Sequence, residues 1–380
     1  MRIALVTDGI WPYVIGGMQK HSYFLCKYLA KNQVHVLLVH TNQQPALNIH
    51  ALSEFTEKER KYIEPVVLEQ PESASFPGHY IYKSYQYSRK AFDAIKHKLS
   101  DVDVIIAKGL TGLYFVNHKE NLPPIAINIH GYEFLQKQAG FKSVLESLLL
   151  RWPLTILNTK ADYVFSYGGK ITTLITSLGV ARSKILEIPA GIEQDWSVNE
   201  VSFIKGKRKL LFLGRYERRK GIEELHAILP ELVSKYDFEF HFAGPIPEHK
   251  RLNLKGVFYH GMINGKTQLQ SLLQSAHVLV CPSYSEGMPN VILEAMANGC
   301  AIIASDVGAV NTFVDSNVGW IVQAGSKRQL ADAIKASIKL EARKLDIMRM
   351  HAIETIKNEY LWDSIVVKLI SSLNGIISPK

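Results

Sequence analysis

The stretch from residue 278 to residue 308 decides the fold, and it reads VLVCPSYSEGMPNVILEAMANGCAIIASDVG. Its first three residues form a short apolar run that is typical of a buried parallel strand, and residues 282–287 have the composition of a loop. Pro289 suits the first turn of a helix, and Gly299 suits the left-handed cap that ends a helix before the apolar run 301–304. The stretch therefore predicts a strand, a loop, a helix and a second strand.

Two carboxylates stand around the start of the predicted helix, Glu286 just before it and Glu294 about two turns further along. In an open parallel sheet, ligands bind beyond the carboxyl ends of the strands, and a helix start attracts phosphate and polarised hydroxyl groups. Glu294 can point back toward the same crevice and accept hydrogen bonds from a vicinal diol such as a ribose. An isolated pair of acids at this spacing is more often solvated, but the flanking residues Ser285, Gly287 and 295–297 favour a ligand site.

A basic loop lies upstream, where residues 214–221 read GRYERRKG after the apolar run 210–213. Arginine can fork onto two phosphate oxygens and lysine supplies a compact charge, so cations at the carboxyl end of a strand suit a diphosphate. Breaking the bond between a sugar's anomeric carbon and a nucleoside diphosphate builds negative charge on the departing phosphate, which such cations stabilise. Arg218 and Arg219 are interpreted as a solvated charge run, as most such runs are.

The spacing E-x7-E followed by A-M-A-x-G, together with G-R-x4-K-G in the basic loop, resembles the signature of the family 4 retaining glycosyltransferases, which have the GT-B architecture. The resemblance implies that Glu286 faces the donor sugar and that Glu294 holds the ribose hydroxyls. It also implies that Arg215 and Lys220 contact the diphosphate. Further donor-binding residues follow from the same match: Gly244, Gly287, Met288, Pro289 and Asn290. Ala190 stands where many members have asparagine, which leaves the subfamily and the substrate open.

The first half of the chain supplies the other wall of the predicted site. Gly16 and Gly17 precede an apolar-periodic helix, and adjacent glycines at a helix start let the backbone approach a phosphate or a sugar closely. His130 follows the apolar run 125–129, where a site histidine is favoured over a structural one. By the resemblance, the Gly-Gly loop closes over the donor diphosphate, His130 contacts the donor near its sugar or phosphate, and Glu133 helps to place it. The predicted catalytic residues are therefore His130, Glu286, Arg215 and Lys220.

Other chemistries require patterns of their own. A metal-dependent transferase of the other common architecture uses Asp-x-Asp, which Asp101 and Asp103 match, but Asp103 runs into the buried-strand pattern 104–107 and so indicates a turn. The sequence has no His and Cys cluster with zinc spacing, and no G-x-G-x-x-G run follows its first strand as in a dinucleotide oxidoreductase. No metal and no cofactor is therefore expected. A sugar-nucleotide epimerase on the same architecture stays open, as does a non-catalytic basic protein that binds membranes.

The chain has 380 residues, more than one core usually spans, and it alternates strand and helix patterns with few hairpin signals. This predicts an α/β protein, and the resemblance implies two Rossmann-like domains that face each other across a cleft, the GT-B architecture. Residues 1–196 form the predicted acceptor-binding domain and residues 197–360 the nucleotide-sugar-binding domain, with a final helix in residues 361–380 packing back on the first. The cysteines fall in predicted core elements and their odd number argues against a disulfide framework: Cys26, Cys281 and Cys300.

The formal net charge is +9, and no nucleic-acid recognition motif accompanies it. Residues 79–99 and 134–152 interleave aromatic residues and leucine with lysine and arginine, as basic helices that lie on anionic lipid do. An equally favoured interpretation is that the apolar faces belong to the core and the lysines are solvated. Because the sequence has no signal-peptide pattern and no long apolar run, a cytoplasmic location is expected, at the inner face of the membrane if lipid is bound.

The motifs and the resemblance predict a retaining, metal-independent glycosyltransferase. It would move a hexosyl or related group from a nucleoside-diphosphate sugar to an acceptor hydroxyl. The expected acceptor is a glycan or a lipid-linked molecule in bacterial-type glycan or glycolipid assembly. Closure of the cleft is expected to exclude water that would hydrolyse the donor.

Overall fold

A computed structural model of the chain describes residues 1–14, 16–41, 54–71 and 78–377. Within these residues the first sheet has seven parallel strands: β1 (Arg2–Val6), β2 (His35–Thr41), β3 (Ile63–Leu68), β4 (Val104–Lys108), β5 (Ile125–Asn128), β6 (Tyr163–Ser166) and β7 (Ile185–Glu187). Their order is β3-β2-β1-β4-β5-β6-β7. All five residues of β4 are buried, because a parallel sheet covered by helices on both faces needs continuous rather than alternating apolar runs.

The second sheet has six parallel strands in the described residues: β8 (Arg208–Leu213), β9 (Phe238–Ala243), β10 (Val257–Tyr259), β11 (Val278–Cys281), β12 (Ala301–Ser305) and β13 (Gly319–Val322). Their order is β10-β9-β8-β11-β12-β13. The strand order reverses between β1 and β4 in the first sheet and between β8 and β11 in the second. Open α/β sheets bind ligands at such switch points. The predicted α/β fold with two parallel sheets is confirmed.

Helices cover both sheets. Their bounds in the described residues are α1 (Gly17–Lys31), α2 (Glu57–Arg60), α3 (His79–Ile95), α4 (Leu113–Asn117), α5 (Phe141–Lys160), α6 (Gly169–Ser177), α7 (Ile222–Lys235), α8 (Lys266–Ser275), α9 (Asn290–Ala297), α10 (Lys327–Lys339), α11 (Ala342–Glu359) and α12 (Trp362–Ile376). In the part of the chain that the structure describes, none of the helices is both long and apolar enough to cross a bilayer.

The unit β11-loop-α9-β12 has the predicted form, with one difference at its helix start. Pro289 was expected in the first turn, but it lies one position earlier, at the N-cap, with an extended backbone. An extended conformation there is compatible with the fixed φ of proline and leaves the first turn to Asn290. Gly299 has a left-handed φ of 76° and ends the helix as predicted, its N–H donating to the carbonyl of Met296 at 3.0 Å.

Helix α12 carries the chain back from the second sheet to the first. Trp362 at its start is buried, and its ring packs against Tyr28 and Phe24 of α1 at centroid distances of 5.7 and 6.0 Å. Leu361 also pairs with Ile192 in a short parallel bridge. The last three residues of the predicted segment, 378–380, lie outside the described residues. The domain boundaries and the roles given to the two domains stay predictions.

The Asp-x-Asp pair of the sequence lies at a turn. The backbone N–H of Arg2 donates to the carboxylate of Asp103 at 2.7 Å, which ties the start of β4 to the start of β1. Among the described residues, no group of three or more His, Cys, Asp and Glu side chains could hold a metal ion. The cysteines are free and buried in core elements, as predicted: Cys26, Cys281 and Cys300.

Candidate active site

A cleft of about 560 Å³ lies between the two sheets, at the carboxyl ends of their strands. The first domain lines it with residues that follow β1, β5, β6 and β7: Gly17, Met18, His21, His130, Glu133, Tyr167 and Ala190. The second domain lines it from the loops after β8 and β11 and from α8 and α9: Leu213, Gly214, Arg215, Arg219, Lys220, Leu269, Glu286, Gly287, Met288, Pro289, Asn290, Val291 and Glu294. Every predicted site residue except Gly16 and Gly244 lines this cleft.

The two exceptions lie beside the cleft. Gly16 borders a neighbouring cavity together with Trp11. Gly244 has a φ of 129°, and a Cβ atom there would overlap the carbonyl oxygen of Gly214 in the basic loop. Only glycine tolerates both this φ and this contact, so Gly244 lets the loop after β9 pack directly against the main chain of the basic loop.

Glu286 is the buried acid at the centre of the cleft. Its carboxylate lies 2.6 Å from the ammonium group of Lys220 and 3.6 Å from the guanidinium group of Arg219. Its main chain is held by Gln136 of the first domain, which donates to the carbonyl of Glu286 at 2.7 Å and accepts from its N–H at 3.3 Å. Gly287 packs so closely on the carbonyl of His130 that a Cβ atom would overlap it. The loop before α9 is therefore positioned by both domains.

The cationic side chains of the basic loop have different partners. Arg215 is exposed at the rim of the cleft and pairs with Glu217 at 3.0 Å. Arg218 makes two hydrogen bonds of 2.8 Å to the buried Glu224 and one of 2.9 Å to Tyr284. The interpretation of Arg218 and Arg219 as a solvated run is therefore wrong, because a buried acid fixes the first and the cleft acid Glu286 attracts the second.

Glu294 is paired across the domain boundary. Its carboxylate accepts a hydrogen bond of 2.9 Å from the ammonium group of Lys20 in α1, which also lies 5.4 Å from the ring centre of Trp196. The sequence predicted Glu294 as a ligand for vicinal hydroxyls, and the structure places it in the wall of the cleft. Lys20 follows the Gly-Gly loop directly, so that loop brings a cation to the second domain.

His130 belongs to a row of buried titratable groups in the first domain. Its Nδ1 lies 2.6 Å from the hydroxyl of Tyr167, and its ring lies edge-on to His21 at 4.7 Å. The amine of Lys108, completely buried, lies 3.0 Å from Nδ1 of His21. Burial, together with the nearby Lys108, holds the pKa of His130 and of His21 well below its usual range, and burial does the same to the pKa of Lys108.

The two ring nitrogens of His130 differ in their contacts. Nδ1 shares a hydrogen bond with the hydroxyl of Tyr167, whose pKa is raised by burial so that it keeps its proton. Nε2 is a buried atom with no hydrogen-bond partner among the described residues. An orphaned polar atom of this kind is costly inside a protein and is commonly matched by a ligand or a water molecule. The neutral ring of His130 therefore brings an unpaired nitrogen to the wall of the cleft.

Comparison with known proteins finds similarity over part of the chain. Residues 207–339 match the family model described as "Glycosyl transferases group 1". The chain is 34% identical over 128 residues to a putative teichuronic acid biosynthesis glycosyltransferase of Bacillus subtilis and 32% identical over 169 residues to a phosphatidyl-myo-inositol mannosyltransferase of Mycobacterium leprae. In these residues the chain is similar to glycosyltransferases. These two matches cover 34% and 41% of this chain but only 32% and 45% of the relatives, so they span less than half of each relative's length.

Solved structures match over almost the whole chain. A sucrose-phosphate synthase from Thermosynechococcus elongatus superposes with a TM-score of 0.77 at 18% identity, covering 99% of this chain and 98% of that one. The Anabaena protein Alr3699/HepE in complex with UDP and glucose superposes with a TM-score of 0.68 at 16% identity, covering 99% of this chain and 100% of that one. At these identities the likeness shows the fold alone, and that fold is GT-B. The GT-B resemblance of the sequence motifs is confirmed.

Sequence motifs did not select several residues that the fold brings into the site. Lys20 and His21 follow the predicted Gly-Gly loop, and their position there was the available signal. Lys108, Gln136 and Tyr167 stand in no motif and reach the site only through the pairing of strands and the contact of the two domains. The roles of the predicted site residues stay predictions, although the structure gathers most of them in one cleft.

Proposed function

We propose that the protein is a retaining glycosyltransferase that moves a hexosyl or related group from a nucleoside-diphosphate sugar to an acceptor hydroxyl. The observation that carries the proposal is the meeting of Arg215, Lys220, Glu286 and Glu294 with the start of α9 in one cleft. Cations and helix N–H groups suit a diphosphate, and a buried carboxylate suits the ribose diol. The Anabaena protein with the same fold is known with UDP-glucose, which supports a donor of this class.

In the proposed reaction the acceptor oxygen bonds to the anomeric carbon while the bond from that carbon to the diphosphate oxygen breaks. The acceptor's proton passes to the departing diphosphate. Arg215, Lys220 and the N–H groups at the start of α9 stabilise the negative charge that grows on the diphosphate. Glu286 stabilises the positive charge that grows on the sugar ring. Configuration is retained because the acceptor enters on the face from which the diphosphate leaves.

Further groups prepare this step. Nε2 of His130 contacts the donor sugar or its phosphate, and Gln136 fixes the main chain of Glu286 for that sugar. Because Arg215 and Lys220 supply the positive charge, the proposed reaction needs no metal ion. Closing the cleft removes water, which strengthens these charge interactions and protects the donor from hydrolysis.

The proposal extends to the acceptor and its surroundings. The names of the relatives refer to teichuronic acid biosynthesis and to a phosphatidyl-myo-inositol acceptor class, which supports a glycan or a lipid-linked acceptor in polysaccharide or glycolipid assembly. Such assembly fits a cytoplasmic protein at the inner face of the membrane. The acceptor then approaches from the first domain, opposite the nucleotide.

A direct test screens thermal shifts with UDP, GDP and ADP and with their sugars, and then identifies products with candidate acceptors by mass spectrometry. Proton NMR of the new glycosidic bond is expected to show the anomeric configuration of the donor, and turnover is expected to persist in EDTA. An inverted product or the loss of turnover in EDTA would contradict the corresponding part of the proposal. Release of an altered sugar without any acceptor would instead identify an epimerase.

The ribose assignment has a test of its own. Glu294→Gln should weaken nucleoside-diphosphate binding by about 10- to 100-fold, because a hydrogen bond to a charged group contributes about 1.5–3 kcal/mol. Isothermal titration calorimetry measures this change. Glu193→Gln is the matched control, since Glu193 also pairs with a lysine of α1, Lys27, at 2.8 Å but does not line the cleft. Equal affinity for both variants would refute the assignment.

A further inference from the structure

The outer face of α5 carries a stripe of large apolar side chains. Its members are Val144, Leu145, Leu148, Leu149 and Trp152. Leu145 is 56% exposed, Leu148 59% and Trp152 72%, although each is large and apolar. The spacing of three and four residues places all five on one side of the helix. Single exposed leucines need no explanation, but a contiguous apolar stripe on a folded surface marks a site of interaction.

The opposite side of α5 belongs to the core, so the outer stripe is an additional apolar surface. Leu154 and Leu157 face inward and are buried. Helix α5 therefore has one face in the core and a second apolar face that is exposed, and the lipid contact predicted for residues 134–152 stays a prediction. The side chains of Phe141 and Lys142, which fall in that segment, lie outside the described residues.

Positive charge flanks the stripe. Arg151 is exposed next to Trp152, and α3, which borders the same cavity as α5, exposes Arg89 and Lys90. Asp93 lies 3.9 Å from Arg89. The whole chain carries a formal charge of +9. Leucine and tryptophan on one face with basic residues beside it are typical of helices that lie in the interface of an anionic bilayer.

A cavity of about 360 Å³ lies between α3 and α5. It is lined by the loops after β1 and β4, at the switch point of the first sheet, and by both helices: Asp8, Lys83, Ser84, Tyr87, Thr111 and Leu150. Switch points are where open α/β sheets bind ligands, and these hydroxyl, carboxylate and ammonium groups suit a hydroxylated head group. Met18 lines both this cavity and the cleft, so the two are neighbours.

We propose that the outer face of α5 docks on the surface of an anionic lipid bilayer, and that the acceptor is a membrane lipid whose hydroxylated head group enters the cavity between α3 and α5. The identity of the acceptor rests on the proposed function, whereas the docking surface does not. Because α5 is anchored to the core by its inner side, it lies along the bilayer and leaves the nucleotide domain in solution. The stripe supplies apolar burial, and the flanking arginine and lysine side chains supply attraction to anionic lipid.

Vesicle co-sedimentation of the full chain tests the docking surface. Wild-type protein should bind vesicles of phosphatidylcholine and phosphatidylglycerol, and bind pure phosphatidylcholine far less. The double variant Leu148→Ser with Trp152→Ser should lower the apparent affinity for the mixed vesicles at least tenfold. Phe203→Ser is the matched control, because Phe203 is 79% exposed but lies in the segment before β8. The charge variant Lys90→Glu with Arg151→Glu should lose binding to the mixed vesicles, whereas its weak binding to pure phosphatidylcholine should stay the same as in the wild type.

Each alternative result overturns the proposal. Equal binding by the double variant and the control removes α5 as the docking surface. A wild-type dimer that becomes monomeric in the double variant, seen by analytical ultracentrifugation, shows that a second copy covers the stripe. Thermal shift with nucleoside diphosphates should be the same in the wild type and the double variant. This readout shows that the variant is folded and separates a failure of membrane docking from a failure of the proposed donor site.

Discussion

At the scale of single residues, each of the two central carboxylates of the cleft is paired with a lysine. Glu286 meets Lys220 of its own domain, whereas Glu294 meets Lys20 of the other domain. Such pairs keep a partly buried carboxylate charged, and removing one partner leaves the other uncompensated. A bound diphosphate and ribose would therefore meet lysine and carboxylate groups that are already charged and oriented. This lowers the free-energy cost of reorganising the site when the ligand binds.

Two neighbouring arginines of the basic loop should respond differently to the same substitution. Arg215→Met should lower kcat about 100-fold or more with little change in melting temperature, because the side chain is exposed and its proposed task is to stabilise the departing diphosphate. Arg218→Met should lower the free energy of unfolding by about 1–3 kcal/mol, because it removes the cation and two of the three side-chain hydrogen bonds that the buried Glu224 accepts among the described residues, and leaves the one from Tyr284. Steady-state kinetics and urea unfolding of both variants make the comparison. Similar kinetic and stability losses in the two variants would contradict the division of tasks.

The buried Lys108 should make stability depend on pH. Burial lowers its pKa in the folded protein, so the unfolded chain binds the extra proton and the wild-type protein gains stability as pH rises toward the usual lysine pKa of about 10.4. Lys108→Met lacks this contribution. The free energy of unfolding of Lys108→Met should therefore exceed that of the wild type by more at about pH 7 than at about pH 9. The buried cysteines and tyrosines affect both proteins alike and cancel in the difference.

Urea unfolding of Lys108→Met and wild type at the two pH values measures this effect. Lys90→Met is the control, because Lys90 is an exposed lysine on α3. A constant difference between Lys108→Met and wild type at both pH values would show that the buried amine keeps its ordinary pKa.

At the scale of elements, the sequence predicted the unit β11-loop-α9-β12 because its glycines, its proline and its apolar runs act locally. Glu286 and Glu294 could be selected for the same reason, as both stand in one short motif. The contacts of Gln136 and Tyr167 could not be predicted, because they depend on which loops of another sheet arrive at the cleft. Arg218 was misinterpreted because its partner Glu224 lies six residues further on, beyond the motif, and the burial of Glu224 depends on the packing of α7.

The loop before α9 should be sensitive to a single methyl group. A Cβ atom at Gly287 would overlap the carbonyl oxygen of His130 in the first domain, so Gly287→Ala must push the two walls of the cleft apart. A displacement of about 1 Å in a catalytic site can cost about 100-fold in rate. We expect such a loss of kcat while circular dichroism stays unchanged. Gly375→Ala in α12 is the control, since a Cβ atom there meets no atom of the described residues within 4 Å.

At the scale of the whole molecule, the chain crosses between the sheets twice, and the second crossing is made by α12. Several contacts that span the cleft are polar, such as Lys20 with Glu294 and Gln136 with Glu286. In contrast, α12 is buried against α1 through an apolar stripe: Trp362, Ile365, Val366, Leu369 and Leu373. Polar contacts can exchange partners when the cleft opens or closes, whereas the apolar contact of α12 holds the two domains in one unit.

Trp362→Ala should therefore destabilise the whole protein, not the first domain alone. Deleting a buried tryptophan side chain costs about 3–5 kcal/mol, and here it also removes the contacts with Tyr28 and Phe24 that attach α12 to α1. Val367→Ala is the matched control, because it lies on the same helix with its side chain 59% exposed. Urea unfolding measures the stability of the two variants, and limited proteolysis of the folded proteins measures whether α12 is detached and cleaved. A protease-resistant α12 in Trp362→Ala, or equal stability of the two variants, would show that the domains are held together elsewhere.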